Sequence, residues 1–567
     1  MKRQIEKPRF FRHFILARGC RQDAKSVFQN PVSGSLARFF MEDFLRKKLF
    51  QPRRLALLVL LAGALWTPCL SALATEYFAG PFNSWLNVQT GFGATGNGTT
   101  DDTAAIQNAL NAASATHSVV YLPAGTYKIS APLTVQNLYG FSFVGASPAN
   151  TTIVWAGPSG GTMMWVLATG SSSWGRITWE GSGTAGIGVG TTCANSTCSA
   201  GAPPTFNHHF DEVFQDMGKG IAGGVSQVGL NSEMTISRCA FNNCTYAGLS
   251  VESYNALDYW VWDCTFLNCA RGLTNDVSGG NFMAYRCFFQ NSSIADLKIT
   301  NAEFFSARDN VSTGSNQFIN AQGNNSAVEL SVQGNRVVNT TNPTAIYLNN
   351  LGPALLVDNQ IQSQSGFTTP AVEMLTPNGS NIGGPDLISI GNQYTVSNPI
   401  TVIGQILAPG QIVRWWTQED QVVSYGSISG SAPTMPPLPT QLNTNITDLP
   451  VGSSATSIQA AINSVTGSNP VIHLPAGSYA LTQGVTIPAN LNLIITGDGV
   501  RTNLGIAATG KTLFSLTGPS KATLENFALG VSHGTGILVQ NADQPSARVF
   551  GEGLYMSTNF GTDVLAD

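Results

Sequence analysis

Charge is what this sequence has least of. Of its 567 residues only 11% are Asp, Glu, Lys or Arg, where a soluble domain usually carries about 25%. The shortage is uneven: fourteen of the 28 Lys and Arg residues, against four of the 32 Asp and Glu, lie within the first 74 positions. The rest of the chain holds 14 basic and 28 acidic residues, so the formal net charge of −4 becomes −14 once the leader is set aside. With no lysine- or arginine-rich tract beyond the leader, there is no electrostatic footprint for nucleic acid. Long apolar runs are missing too. The run Leu55 to Trp66 spans twelve residues, too short for a bilayer crossing of about 20 helical residues.

That run instead completes a secretory signal. Arg46-Lys47-Lys48 and Arg53-Arg54 precede it and Ala72-Leu73-Ala74 follows it, the basic, apolar and small-residue parts of a cleaved leader. Cleavage is expected after Ala74, giving a secreted or periplasmic protein with no membrane attachment. Met41 stands just ahead of a signal of ordinary length, so residues 1–40 read as an upstream start or an extended basic region. Seven of nine cysteines lie beyond Ala74, an odd number that leaves at least one thiol unpaired in a monomer. Cys193 and Cys198 close a short Gly/Ser/Thr-rich loop and are the expected disulfide of an exported chain.

What the sequence does have is repetition, at two scales. Ile106-Gln107, Leu122-Pro123-Ala124-Gly125 and Gly145 recur as Ile458-Gln459, Leu474-Pro475-Ala476-Gly477 and Gly497, each displaced by 352 positions. Two copies of one opening unit are therefore expected, each a short helix followed by short strands. The organisation read from this is a leader over 1–74, a main domain over 75–431, a Pro-rich linker over 432–448 and a shorter second unit over 449–567. The short repeat has a period of about 23 to 27 residues. Cys239-Ala-Phe-Asn-Asn-Cys244, Cys264-Thr-Phe-Leu-Asn-Cys269 and Cys287-Phe-Phe-Gln-Asn291 align, and Asn310, Asn335 and Asn359 continue the series. Units this short cannot bury a core alone, so they stack as coils of an all-β, parallel β-helix. Stacking places Asn243, Asn268 and Asn291 at one corner and Cys239, Cys264 and Cys287 in a buried column. The Cys-x4-Cys spacing does not suit a zinc site, and no metal site is expected.

Asn87-Val88, Gly91-Phe92-Gly93-Ala94-Thr95-Gly96-Asn97-Gly98-Thr99-Thr100-Asp101-Asp102-Thr103-Ala104-Ala105-Ile106-Gln107 and Tyr121-Leu122-Pro123-Ala124-Gly125-Thr126-Tyr127 together resemble the opening of the pectate-lyase-like superfamily of right-handed parallel β-helices. The resemblance implies a secreted carbohydrate-active protein, and the two copies look like the arrangement in tandem β-helix exo-β-1,3-glucanases. The second copy departs from the first, with Gly452-Ser453-Ser454-Ala455 in place of Thr100-Asp101-Asp102-Thr103. Polygalacturonase motifs such as Asn-Thr-Asp and Gly-His-Gly are missing, so no catalytic residue transfers by name. Asp102 is expected to cap the helix that follows it, and Gly93 to Gly98 to form a turn.

A candidate site follows from the period of two along each strand. With Met234, Ile236, Tyr259, Val261, Phe282, Ala284, Phe305, Ala307, Leu330 and Val332 inward, Trp260, Trp262 and Tyr285 face outward as a platform for sugar rings. Glu233 and Asp258 flank that face as candidate catalytic carboxyls, with Asp263 beyond them and Arg308 as a candidate cation for a uronate substrate. Arg238, Asp263, Arg286 and Asp309 also read as a stacked ion-pair ladder, and His208-His209 as a loop or corner. The expected partner is a polysaccharide. Glycoside hydrolysis by paired carboxyls is the first reading. A lyase or epimerase on uronate glycans and a non-catalytic glycan-binding or surface protein are the alternatives. No cofactor is required, and Ca2+ enters only for a uronate polymer.

Overall fold

The structure is a computed structural model that describes residues 76–193, 205–227, 231–300, 304–322, 329–349, 353–375, 386–403, 414–506, 508–519, 521–541, 548–559 and 562–566. The leader, its expected cleavage site and Cys198 lie outside them. Cys193 is disulfide-bonded.

Strand after strand pairs in parallel with the one a coil later. Met234 registers with Tyr259, Tyr259 with Phe282 and Phe305 with Leu330, so one coil is 23 to 25 residues there. Thirteen such strands, from Leu86–Asn87 to Arg414–Gln418, build one sheet, and 22 build the rest of the solenoid wall. The expected inward rows are inward: all ten residues from Met234 to Val332 are buried. Stacking carries the core from coil to coil, with Phe214, Phe241, Phe266 and Phe289 in near-parallel contact at 5.2, 4.8 and 4.9 Å between centroids. Each buried phenylalanine contributes about 1.5–3 kcal/mol of transfer free energy.

The corners explain the low charge. Asn243, Asn268 and Asn291 turn the chain with φ of 55°, 54° and 58°, a left-handed conformation that asparagine tolerates better than most residues. Asn291 donates to Asn268 at 3.1 Å and Asn268 to Asn243 at 3.3 Å, so side-chain amides replace ions along the stack. Cys239, Cys264 and Cys287 are free and buried in a column, which continues as a buried ladder of Asn310, Asn335, Asn359 and Asn392.

The long repeat is equally visible. Helix α1 (Thr103–Ala112) and helix α2 (Ala455–Ser464) occupy matching positions. Gln107 bonds both backbone groups of Thr134, and Gln459 those of Thr486. The Tyr127 hydroxyl donates to the Pro123 carbonyl and Tyr479 to that of Pro475. Strands from Ile446 onward form sheets of five, four and four strands around an apolar core that includes Ile458, Leu504 and Phe514. Within the Pro-rich stretch, Thr440–Leu442 pairs in parallel with Tyr77–Ala79.

The expected cap on α1 is not made. Asp102 has no side-chain bond to the helix; its buried carboxylate accepts instead from the N–H groups of Thr95 and Gly96, at 2.7 and 3.0 Å. The turn at Gly93, Gly96 and Gly98, all at positive φ, folds back over it. Asp101 accepts from the Thr103 N–H at 3.0 Å. In the second copy Ser454 caps α2 through the Ser457 N–H at 3.2 Å.

Candidate functional site

Two faces of the solenoid carry chemistry. The first is the outer face of the 13-stranded sheet. Trp260 registers with Thr235 and Met283, and Trp262 with Ser237 and Tyr285. All three aromatic rings are half-buried. Trp262 and Tyr285 meet at 4.5 Å, the Arg286 guanidinium sits 5.1 Å from the Trp262 ring, and the buried Trp262 indole N–H has no hydrogen-bond partner.

Glu233 and Asp258 occupy matching turn positions one coil apart, with φ of 58° and 59°. Asp258 is also bound to Asn281: its N–H donates to Asn281 Oδ1 at 2.6 Å and its carboxylate accepts from Asn281 Nδ2 at 3.2 Å. Asp263 takes both arms of Arg286 at 2.8 and 2.7 Å, and this pair raises the Arg286 pKa. Arg308 pairs with Asp309 at 3.3 Å. The expected ladder breaks at Arg238, which turns back to Asp211 at 2.6 Å and to Glu76 at 3.1 Å. His208 and His209 lie on a strand, His208–Phe210, and so correct the loop or corner expectation. His208 Nε2 is 2.8 Å from Ser237 Oγ outside, while His209 is fully buried against Glu212 at 2.7 Å. The alternation of the pair across the sheet was the available signal.

The second face lies on the adjoining wall and was not foreseen. Strands Val213–Gly223 and Ala240–Val251 run long, and a register shift between Met217 and Lys219 bends them together. Gly220, Gly248 and Gly272 line the bend, where a Cβ would strike Phe241, Phe266 and Phe289. The chain therefore lies close on the aromatic stack and swings the residues around it outward. Lys219 registers with Ala247, and Arg271 with Ala295. Tyr246 thus stands on the coil between two cations. Lys219 Nζ is 4.6 Å and Arg271 Cζ 4.5 Å from its ring centre. Two carboxylates hold the cations in place: Glu252 bonds Lys219 at 2.5 Å, and Asp276 bonds Arg271 at 2.8 Å while accepting from the Tyr246 hydroxyl at 2.8 Å. Lys298, on the next coil, donates to Asn320 at 2.6 Å.

Partial burial sets the electrostatics of this cluster. Loss of solvent, with Asp276 adding to it, pushes the Tyr246 phenol up to about 12. Desolvation lowers the Lys298 ammonium below its ordinary value, with Arg271 adding to the shift and Asp276 opposing it. The cluster can therefore neutralise an anionic group, donate a proton from a phenol and take one on an amine. Among the described residues no group of three or more His, Cys, Asp or Glu is placed to hold a metal ion, and no helix is long and apolar enough to cross a membrane.

Residues 85–176 match the family model described as rhamnogalacturonase A/epimerase, pectate lyase-like. No curated protein matches the chain. Among solved structures, the A-module of the Azotobacter vinelandii mannuronan C-5 epimerase is similar at 16% identity over 61% of this chain and 100% of that one, with a TM-score of 0.34. A PL6 family alginate lyase is similar at 11% identity over 82% and 79%, TM-score 0.34. The catalytic unit of a GH87 α-1,3-glucanase from Streptomyces thermodiastaticus is similar at 14% identity over 87% and 72%, TM-score 0.27. These are similarities of fold and carry no residue across. The chain is thus a parallel β-solenoid whose opening segment, residues 85–176, matches the rhamnogalacturonase A/epimerase, pectate lyase-like family.

Proposed function

We propose that this chain is an exported enzyme that acts on a polysaccharide containing uronate sugars, at the cluster around Tyr246. One observation carries the reading. Of fourteen basic residues beyond position 74, two (Lys219 and Arg271) flank a single tyrosine, and a third, Lys298, lies on the next coil near Arg271 and Asp276. The net charge of −14 argues against a polyanionic substrate, but at this cluster Lys219, Arg271 and Lys298 outnumber the carboxylates of Glu252 and Asp276, and the local balance favours one. A lyase or epimerase must remove a proton from the carbon beside a carboxylate and hold the negative charge that develops. In this reading Arg271 and Lys219 face the substrate carboxylate, Lys298 takes the proton, and Tyr246 donates one to the departing glycosidic oxygen. Trp260, Trp262 and Tyr285 offer a second surface on which a long glycan can lie.

Hydrolysis is the second reading, favoured by Glu252 and Asp276. Ser250 registers with Thr274, which puts these carboxyls on matching positions of adjacent coils, within reach of the roughly 5–5.5 Å used by retaining glycosidases. Glu233 and Asp258 are the competing carboxyl pair on the other face.

The deciding experiment incubates the full chain with polygalacturonate, alginate, rhamnogalacturonan and neutral β- and α-glucans, with Ca2+ and with EDTA. It follows the absorbance of unsaturated products separately from reducing ends. Unsaturated product from a uronate polymer, lost in Arg271→Met and kept in Glu233→Gln/Asp258→Asn, supports elimination at Tyr246. Reducing ends without that absorbance, lost in Glu252→Gln, support hydrolysis there. Loss only in the Glu233 and Asp258 variants moves the site to the aromatic face, and glycan binding without any product makes the chain a binding protein.

A further inference from the structure

Two groups of ionisable side chains lie where residues 76–85 meet the sheet that begins at Ile446, and neither belongs to the sites above. In the first, His473 is buried with Nδ1 2.6 Å from Asp448 Oδ1 and Nε2 3.0 Å from Asp498 Oδ1. A neutral imidazole has one N–H and one lone pair. Two carboxylate contacts at hydrogen-bond distance therefore require the imidazolium, since a neutral ring would turn a lone pair toward one of the anions. The segment from the main solenoid closes on this arrangement. Phe82 stacks on the imidazole at 3.6 Å and 3°, and the Trp85 indole N–H donates to Asp498 at 2.6 Å. Ser84 donates to Asp498 at 3.1 Å and Asn83 to Asp448 at 3.2 Å. No Lys or Arg pairs with either aspartate among the described residues; the nearby Arg501 donates to the Tyr139 carbonyl instead.

In the second group, Glu76 comes close to Glu552 across the same junction. Carboxylates crowded in this way repel one another unless one of them holds a proton. Glu525 is the register neighbour of Glu552 on the preceding coil, and both acids feel Glu76. Arg238 and Asp211 face them from the main solenoid, with Arg238 bonded to both Asp211 and Glu76. Arg238 thus serves Glu76, Asp211 and Glu552, Arg176 adds a second guanidinium 4.0 Å from Asp211, and neither reaches Glu525.

We infer that this junction is a pH-sensitive latch: protons on His473 and on the Glu525–Glu552 pair hold residues 76–85 against the strands from Ile446 onward, and alkalinisation releases them. Loss of a proton leaves Asp448 and Asp498 facing a lone pair at one group and two adjacent carboxylates at the other. The directions agree. Burial alone would lower His473, but its bonds to Asp448 and Asp498 outweigh this and leave it above its ordinary value. Burial and the neighbouring Glu552 push Glu525 up to about 8, and burial raises Glu552. Groups whose pKa is raised by folding stabilise fully below their unfolded pKa and lose that contribution as pH rises through the folded value. For Glu525 that window runs from about 4.5 to about 8; for His473 it lies above 6.5.

The test is hydrogen–deuterium exchange on the full chain from pH 6 to 9, corrected for intrinsic exchange, with peptides from 234–299 as the internal reference. Protection of peptides over 76–88 is expected to fall at least tenfold between pH 6 and 9 while the reference holds. Because glutamine mimics a protonated carboxyl, Glu525→Gln/Glu552→Gln should keep the junction protected to higher pH, an outcome that a misfolded variant cannot imitate. His473→Gln should lower protection already at pH 6. Protection that is flat with pH, or a midpoint that the glutamine pair leaves unmoved, overturns the latch.

Discussion

Asn335 stands one coil beyond Asn310, and its side-chain carbonyl accepts both the backbone N–H and the side-chain Nδ2–H of Asn310, each at 2.9 Å. Its own Nδ2 donates to the Ala307 carbonyl at 3.0 Å and to Asn359 at 2.8 Å. One amide therefore closes four bonds at a corner that water does not reach. The exposed ladder of Asn243, Asn268 and Asn291 has the same form, but solvent can replace each of its bonds.

That contrast sets the first prediction. Asn335→Ala leaves the Asn310 amide and the Ala307 carbonyl buried without partners, each costing about 1–3 kcal/mol. Asn268→Ala loses about 0.5–1.5 kcal/mol, because water takes over the exposed partners. Denaturant midpoints of the two variants should differ clearly and in that order. Equal midpoints would mean that the buried ladder contributes no more than the exposed one.

The buried cysteines give a second prediction. Cys239, Cys244, Cys264, Cys269 and Cys287 are free and buried, and for Cys264 burial and neighbouring thiols push the pKa well up. The thiolate is the reactive form, so none of the five should react with a thiol reagent in the native chain, and all five should react in denaturant. Rapid native labelling at Cys264 would contradict a packing role.

Much of this was legible in the sequence for a plain reason. Strand side chains alternate with a period of two, and one aligned column was enough to phase every neighbouring coil, which is how Met234 through Val332 were sorted correctly. The duplicate at an offset of 352 was legible because Gln107 and Gln459 make the same contacts. The Tyr246 cluster was not legible. Lys219, Arg271 and Lys298 belong to coils of unequal length, and the register shift after Met217 breaks the column that would have aligned them. Asp102 misled for a different reason: its position before a helix signals a cap, whereas the glycine turn six and seven residues before it claims its carboxylate.

If Lys298 takes the proton, kcat/KM should rise with pH through a midpoint below the ordinary lysine value of 10.5, because the neutral amine is the active form. Lys298→Arg should remove that rising limb. Tyr246→Phe keeps the ring between Lys219 and Arg271 but removes the proton, and should lower kcat by about 10²–10⁴-fold with KM little changed, the usual range for a general acid. A Tyr246→Phe variant with full activity would exclude the phenol from proton transfer.

The duplicated glycines test whether the two apolar cores melt separately. A Cβ at Gly145 would lie 2.3 Å from the Arg176 carbonyl oxygen, and one at Gly497 2.5 Å from that of Asn526. Backbone cannot yield as a side-chain tip does, so each alanine substitution should cost about 1–3 kcal/mol through overpacking. Gly505, by contrast, has open space around its Cβ position, and Gly505→Ala should be neutral or stabilising by up to about 1 kcal/mol, since alanine restricts the unfolded chain. The two clashes fall in different cores, one around Phe143 and Ile177, the other around Leu474 and Leu504. In calorimetry, separately melting cores require Gly145→Ala to lower one transition and Gly497→Ala another, whereas a single cooperative unit would shift as one under either substitution. Because the His473 latch weakens as its proton is lost, two transitions should be better resolved at pH 9 than at pH 6.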